Sequence, residues 1–386
     1  MLLKFFLSLP LAIVMAFIST FAYSAQVIIP APPQLAAKAH LLIDAHTGTV
    51  ISESNADEKI PPASLTKMMT IYIVASEIER GEIAETDQVN ISIKAWKMGG
   101  SKMFVREGTQ VSVKQLMRGV IVQSGNDASV ALAEYVAGSE EAFVDVMNKQ
   151  AALLGMTNTK FQNATGWPHK DHYISARDLS LLARALINNY PEHYKIYSEK
   201  YFAYNGINQA NRNKLLFQDE DVDGIKTGHT DEAGYCLVAS AKKNNMRLIS
   251  VVMGTPSEST RTTESQKLLA YGFRYYKTHK IYSGSDVVNQ TRVWKGHTQT
   301  LSLGPLEDIY LTVPRGAEDN LVASINIDEI IEAPIIQGQE LGNVTVSLND
   351  DQLLNVPLLA LEAVNEANFF SRLLDAIHLF FFQLFN

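Results

Sequence analysis

The sequence contains a single cysteine, Cys236, among 386 residues. An intramolecular disulfide is therefore impossible, and a cysteine-based metal cage is excluded as well. Cys236 lies in the alternating apolar run GYCLVASA, which predicts a buried thiol on a strand. Packing alone must hold the fold together, and a composition of 46% hydrophobic and 19% charged residues fits a folded globular protein.

Blocks of basic residues are also absent. The formal net charge is -8, and a nucleic-acid surface would need a clustered stripe of lysine and arginine. Nucleic acid is therefore not an expected partner. The histidines are dispersed and lack the spacing of metal ligands, so no metal and no organic cofactor are expected.

From about Ser64 to Arg80 the chain predicts a strongly apolar helix, with the run from Met68 to Val74 at the centre of the domain, and the longest apolar runs lie at the two ends of the chain. Residues 1–24 carry a positive charge at Lys4, continue through an apolar stretch and end in small residues, which predicts a secretory signal peptide cleaved after Ser24 or Ala25. An uncleaved N-terminal membrane helix is the alternative. Both readings place the body of the protein outside the cytoplasm.

The C-terminal segment, residues 366–386, contains the aromatic run NFFSRLLDAIHLFFFQLFN. Arg372, Asp375 and His378 form a narrow polar stripe that would be costly in hydrocarbon. The pattern predicts an amphipathic helix that lies in the interface of a membrane without spanning it. A helix docked on the protein's own core is the alternative.

The intervening chain divides into two predicted domains. Residues 25–285 have hairpin patterns near both ends and helical patterns between them, which predicts an α+β domain whose antiparallel sheet joins distant parts of the chain. Residues 286–365 consist of short β-branched runs separated by turns, which predicts a small all-β sandwich domain.

Three short motifs stand in order along the first domain. They are Ser64–Lys67 (SLTK), Ser124–Asn126 (SGN) and Lys226–Gly228 (KTG). Each is common by chance, but the trio at a helix start, an interhelical turn and a hairpin is a specific signal.

The first motif supplies a nucleophile and a base. A serine hydroxyl needs a base, and an i,i+3 spacing on a helix places the Lys67 amine on the same face as the Ser64 oxygen. Burial and a neighbouring cation such as Lys226 would favour the neutral amine that can accept the proton. A helix start also offers a backbone N–H to the oxyanion.

The other two motifs supply polar groups for a substrate. The Ser124 hydroxyl can relay a proton to a leaving amine, and the Asn126 amide can hold a substrate carbonyl or the lysine. Lys226 and Thr227 suit a substrate carboxylate, and Gly228 lets a peptide-like substrate approach the strand edge.

Across nearly the whole mature chain, the sequence resembles the low-molecular-mass penicillin-binding proteins that are D-alanyl-D-alanine carboxypeptidases. The matching stretches are ASLTKMMT, VSVKQLMRGVIVQSGNDA, ISARDLSLLARALI, DGIKTGHTDEAGYCLVASA and MRLISVVMG. The resemblance implies a catalytic domain of the serine β-lactamase and penicillin-binding-protein type. It also implies a peptidoglycan pentapeptide substrate, and β-lactam antibiotics as covalent inhibitors.

The resemblance further implies roles for the matched residues. Ser64 would form an acyl-enzyme with the penultimate D-alanine, with Lys67 as general base. The backbone N–H groups of Ser64 and His229 would form the oxyanion hole. Lys226, Thr227 and Arg261 would hold the terminal carboxylate, supported by Arg212. The run GWPHKDH, with Trp167, departs from the shorter aliphatic segment usual in relatives.

Two other enzymatic activities and one non-catalytic role are the alternatives to a carboxypeptidase. A β-lactamase would need an E-x-x-L-N element to hold its hydrolytic water, and the sequence has none. A D,D-endopeptidase would share the motifs and differ only in access to cross-links. A non-catalytic wall-binding scaffold is opposed by the intact set of serine, lysine and asparagine side chains.

Overall fold

The structure is a computed structural model that describes residues 29–348 and 350–385. The predicted signal peptide, residues 1–24, lies outside the described residues. The helices are α1 (Lys67–Glu79), α2 (Ile93–Lys97), α3 (Val113–Gln123), α4 (Asn126–Ala137), α5 (Glu140–Leu153), α6 (Ala176–Asn189), α7 (Pro191–Tyr194), α8 (Leu215–Gln218), α9 (Glu258–Tyr275) and α10 (Phe369–Phe385).

The strands alternate with these helices in the first part of the chain and follow one another in the second. They are β1 (Ala39–Asp44), β2 (Val50–Ser54), β3 (Gln88–Asn90), β4 (Gln110–Ser112), β5 (Tyr201–Tyr204), β6 (Ile207–Ala210), β7 (Val222–Thr230), β8 (Gly234–Lys243), β9 (Met246–Thr255), β10 (Tyr276–Tyr282), β11 (Asn289–Arg292), β12 (Thr300–Gly304), β13 (Ile309–Pro314), β14 (Leu321–Ile327), β15 (Glu340–Leu348) and β16 (Asp351–Ala360).

A five-stranded antiparallel sheet with the order β2-β1-β9-β8-β7 forms the centre of the first domain. Successive side chains point to opposite faces of a strand, and β1 follows this rule. Leu41 and Ile43 join the core under the helices, whereas Leu42 packs on the other face with Leu268 of α9. The predicted sheet from distant parts of the chain is confirmed.

Helix α1 is buried along most of its length. Its residues from Lys67 to Ala75 are all buried, and it packs against α3, α4, α5 and α6. A helix that is apolar on most faces is expected at the centre of a domain. The SLTK motif therefore leads directly into a buried, central helix.

The second part of the chain is built from strands. Strands β11-β12-β16-β15-β14 form a five-stranded sheet, and β10 pairs with β13. Leu301, Val313, Val346 and Leu358 belong to the core that these strands share. The predicted α+β architecture with a following β domain and a C-terminal helix is confirmed.

Helix α10 docks on the β domain along one side and exposes the other. The Asp375 carboxylate accepts a hydrogen bond of 2.9 Å from the Lys295 backbone N–H, and Leu379 is buried. Phe370 and Phe385, in contrast, are 76% and 80% exposed. Within the described ranges, no helix is long and apolar enough to span a membrane.

Candidate active site

Ser64 lies in a 3-10 turn, Ala63–Thr66, that leads directly into α1. The sequence predicted a helix from about Ser64, and the tighter turn is the observed form of its first residues. Pro62 precedes this turn and Ala63 adopts a positive φ of 48°. The turn still brings Lys67 Nζ to 3.0 Å from Ser64 Oγ, as the i,i+3 spacing predicted.

Lys67 is completely buried and donates a hydrogen bond of 2.6 Å to the Thr165 carbonyl. The pKa of Lys67 is lowered to about 7; burial is the largest cause, the Arg212 charge also lowers it, and the Asp127 charge opposes both. A substantial fraction of the amine is therefore neutral near pH 7. A neutral amine in contact with the hydroxyl can accept its proton.

Ser124 and Lys226 form a second pair beside the first. Lys226 Nζ lies 3.0 Å from Ser124 Oγ and 3.1 Å from the Thr227 carbonyl oxygen. Burial holds the pKa of Lys226 well below its ordinary value, and Lys67 and two arginines lower it further. Ser124 ends α3 with a left-handed φ of 62°, an unusual backbone for a residue other than glycine and one that recurs at functional sites.

Asn126 begins α4 and fixes one wall of the site. Its side chain donates to the Gly99 carbonyl at 2.7 Å, and its backbone N–H donates to the Ser101 carbonyl at 2.8 Å. The next residue, Asp127, accepts hydrogen bonds from the backbone N–H groups of residues 103–105. The sequence reasoning missed Asp127, although a carboxylate in the first turn of a helix is a recognisable capping signal.

Cationic side chains gather beside the KTG strand. Arg261 of α9 is buried, donates to the Gly228 carbonyl at 3.3 Å and pairs with Glu258 at 3.1 Å. Arg212 donates to the Gln123 carbonyl at 3.1 Å, and its charge acts on both active-site lysines. This concentration of positive charge suits an anionic end of a substrate.

Gly228 allows the KTG strand to lie against the serine turn. A Cβ at this position would lie 3.1 Å from the Pro62 carbonyl oxygen and 3.1 Å from Leu65 Cγ. This close approach is a reason for glycine that the sequence did not reveal.

An open cleft of about 450 Å³ lies at Ser64 and Asn126, whereas Lys67, Ser124 and Lys226 are buried beside it. Its lining consists of Ser64, Gly100, Ser101, Asn126, Thr165, Gly166, Trp167, Pro168, His229, Thr230, Asp231 and Glu232. Trp167 is 49% exposed, so the unusual segment forms part of one wall. The His229 ring stacks on Tyr235 with a centroid separation of 3.9 Å. No group of three or more metal-ligating side chains occurs among the described residues.

Ser64 lies at an open cleft and contacts a buried lysine whose amine is readily neutralised. This arrangement is typical of a serine hydrolase that works through an acyl-enzyme. The model of the D-alanyl-D-alanine carboxypeptidase family matches residues 26–257, and that of the penicillin-binding protein 5 C-terminal domain matches residues 276–366.

Known relatives agree with the family models. The chain is 45% identical to the D-alanyl-D-alanine carboxypeptidase DacA of Escherichia coli strain K12, covering 92% of this chain and 91% of the relative. Identity to DacA of Haemophilus influenzae is 44%, with 89% of each chain covered. The solved penicillin-binding protein 5 of Haemophilus influenzae superposes with a TM-score of 0.83 at 42% identity, covering 87% of this chain and all of that one. The chain belongs to the D-alanyl-D-alanine carboxypeptidase family, which confirms the resemblance in the sequence.

Proposed function

We propose that this protein is a serine D-alanyl-D-alanine carboxypeptidase that removes the terminal D-alanine from peptidoglycan pentapeptides through an acyl-enzyme on Ser64. The observation that carries the proposal is the 3.0 Å contact between Ser64 Oγ and the buried Lys67 amine. The family membership of the chain and the names of its relatives support the substrate class.

The reaction begins with attack of Ser64 Oγ on the carbonyl carbon of the penultimate D-alanine. Neutral Lys67 accepts the hydroxyl proton, and the backbone N–H groups of Ser64 and His229 stabilise the oxyanion. Ser124 relays a proton to the amine of the departing D-alanine as the peptide bond breaks. Water then hydrolyses the ester, which releases the shortened peptide and restores the serine hydroxyl.

The carboxylate of the terminal D-alanine binds Lys226, Thr227 and Arg261, with Arg212 nearby. A carboxylate beside Lys226 favours its charged form, because an opposite charge offsets part of the burial that lowers the pKa of this amine. Substrate binding therefore strengthens the ion pair that recognises it. The same groups accept the carboxylate of a β-lactam, whose ring carbonyl acylates Ser64.

The protein is expected to act on the periplasmic face of the cytoplasmic membrane. Residues 1–24 direct export, residues 25–285 carry the catalytic site, residues 286–365 form the β domain, and residues 366–386 bind the membrane surface. The exposed apolar side of α10 supports this arrangement, since Phe369, Phe380 and Leu384 are each more than half exposed.

Mass spectrometry of purified muropeptides tests the proposed reaction. The wild-type protein should convert pentapeptides to tetrapeptides and release one D-alanine for each, whereas Ser64→Ala should release none. Ser101→Ala removes a hydroxyl from the same cleft without removing the nucleophile and should remain active. Cleavage of cross-linked dimers without loss of terminal D-alanine would instead identify a D,D-endopeptidase. No product with either substrate would favour the scaffold alternative.

A further inference from the structure

Most hydrogen bonds of the turn formed by residues 163–167 go to one side chain, Asn163, while Glu140 and Thr70 bind the backbone of Ala164. Asn163 Oδ1 accepts hydrogen bonds from the backbone N–H groups of Thr165 (3.1 Å), Gly166 (2.7 Å) and Trp167 (3.0 Å), and from the Thr165 hydroxyl (3.0 Å). The Asn163 amide also donates to the Trp167 carbonyl at 2.9 Å. A short polar side chain thus binds the backbone N–H groups of three successive residues of the turn.

This turn packs directly on the nucleophile and its base. Its Thr165 carbonyl accepts the 2.6 Å hydrogen bond from Lys67. Gly166 has a φ of +83°, and a Cβ there would lie 1.7 Å from the Ala63 carbonyl oxygen, so only glycine allows this approach. The turn therefore lies against both Lys67 and the backbone of Ala63 and Ser64.

A buried histidine joins the same turn to the active-site helix. His172 Nδ1 lies 3.4 Å from Asn163 Nδ2, and His172 Nε2 lies 3.1 Å from Thr66 Oγ1. The amide nitrogen can only donate, so Nδ1 accepts and Nε2 carries the imidazole proton. Burial lowers the pKa of His172 to about 4, which keeps the ring in the neutral form that this arrangement requires.

We propose that Asn163 is a positioning residue for acylation, which holds the Thr165 carbonyl against Lys67 and keeps water away from the amine. The inference rests on the proposed role of Lys67 as the base. A fixed carbonyl at one hydrogen-bonding position orients the amine toward Ser64. The closed turn also maintains the burial on which the neutral amine depends.

Other charged groups act on Lys67 from different elements. Arg212 lowers its pKa and Asp127 raises it, and Lys226 is close enough for Lys67 to affect it in turn. None of these three belongs to the 163–167 turn. Replacing Asn163 by an uncharged residue therefore changes the burial of Lys67 without changing the charges around it.

The experiment measures the second-order rate constant for acylation by a fluorescent penicillin between pH 5 and pH 9, using the full chain. Asn163→Leu should admit water to Lys67. Because burial is the largest cause of the lowered pKa of Lys67, the midpoint, which is the pH at which the acylation rate constant falls to half its maximum on the acid side, should rise by about one pH unit. Acylation at pH 6 should then be about tenfold slower than in the wild type. Thr165→Val, which removes one hydroxyl of the same network, should move the midpoint in the same direction by less.

Asn148→Leu is the matched control. Asn148 also bridges backbone groups through its side-chain amide, because it binds the N–H and carbonyl of Phe161 just before the turn, but its hydrogen bonds go to Phe161 and Val144 and not to the turn itself. Its midpoint should stay at the wild-type value.

An unmoved midpoint in Asn163→Leu would overturn the proposal, even if fewer molecules were active, because a purely structural role lowers the active fraction alone. If that variant does not fold, Thr165→Val decides the question in the same way. An equal shift in Asn148→Leu would also overturn it. Undiminished labelling of Ser64→Ala would instead refute the proposed function, so the two failures are distinguishable.

Discussion

The pH dependence of acylation follows from the environment of Lys67. Its pKa falls from the ordinary 10.5 to about 7, chiefly through burial. About half of the amine is then neutral at pH 7, compared with about 0.03% of an unperturbed lysine. This difference of about 10³-fold in the reactive form corresponds to about 4 kcal/mol of activation free energy. Below pH 7 the acylation rate constant should fall about tenfold for each pH unit.

Stopped-flow mixing with a fluorescent penicillin measures this dependence from pH 5 to pH 9. Arg212→Gln removes the second cause of the lowered pKa of Lys67, so its acid-limb midpoint should lie above that of the wild type. Lys67→Arg keeps a charge that cannot be removed and should acylate at least about 10³-fold more slowly. A rate constant that stays constant from pH 8 to pH 5, or a midpoint near the ordinary lysine value, would refute Lys67 as the base.

Three further predictions concern the carboxylate site, the tail and the buried histidine. Lys226→Gln and Arg261→Gln should lower kcat/KM about 10²-fold more for peptides with a free carboxyl end than for amidated ones, and equal losses would remove the carboxylate role. Deleting residues 366–386 should release an active enzyme into the soluble periplasmic fraction, whereas membrane retention would assign the anchor elsewhere and lost activity would mean that the docked helix is needed for the fold. The pKa of His172 is lowered to about 4, so the unfolded chain binds more protons than the folded one between pH 6.5 and pH 4, and stability should fall as the pH drops through this window. Urea unfolding of the wild type should show a loss of up to about 3 kcal/mol that is absent in His172→Gln; identical pH dependence of the two proteins would contradict the assignment of this loss to His172.

Features that depend on local pattern could be predicted from the sequence. The apolar run from Met68 to Val74 predicted a central buried helix, and those residues are buried. The alternating run around Cys236 predicted a buried strand thiol, and Cys236 is buried in β8. Periodicity and burial are properties that neighbouring residues share, so a short window of sequence contains them.

Features that depend on backbone atoms from distant segments could not be predicted. The Thr165 carbonyl bonds Lys67 across 98 positions of sequence, and every residue type carries the same carbonyl group. The positive φ of Ser124 and the close approach of Gly166 to Ala63 likewise exist only once the domain has assembled. Residues 163–166 (NATG) have a pattern typical of a turn, but the sequence does not indicate that this turn packs on Lys67.

The alternatives for the C-terminal segment show the same division. Its aromatic density and narrow polar stripe predicted an amphipathic helix, which α10 confirms. Asp375 accepts a hydrogen bond from the Lys295 backbone N–H, which attaches that helix to the β domain. The periodicity of residues 366–386 does not indicate this bond. Helix α10 therefore packs on the β domain along one side and exposes apolar side chains on the other.

Mapping the covalent penicillin adduct tests the central claim most directly. Trypsin should release residues 60–67 as the peptide IPPASLTK, which contains Ser64 as its only serine. After incubation with penicillin, mass spectrometry should find this peptide heavier by one penicillin molecule, with fragment ions that place the added mass on Ser64. The Ser64→Ala protein should carry no adduct. An adduct on any other residue, or its persistence in the alanine variant, would contradict the assignment of Ser64 as the nucleophile.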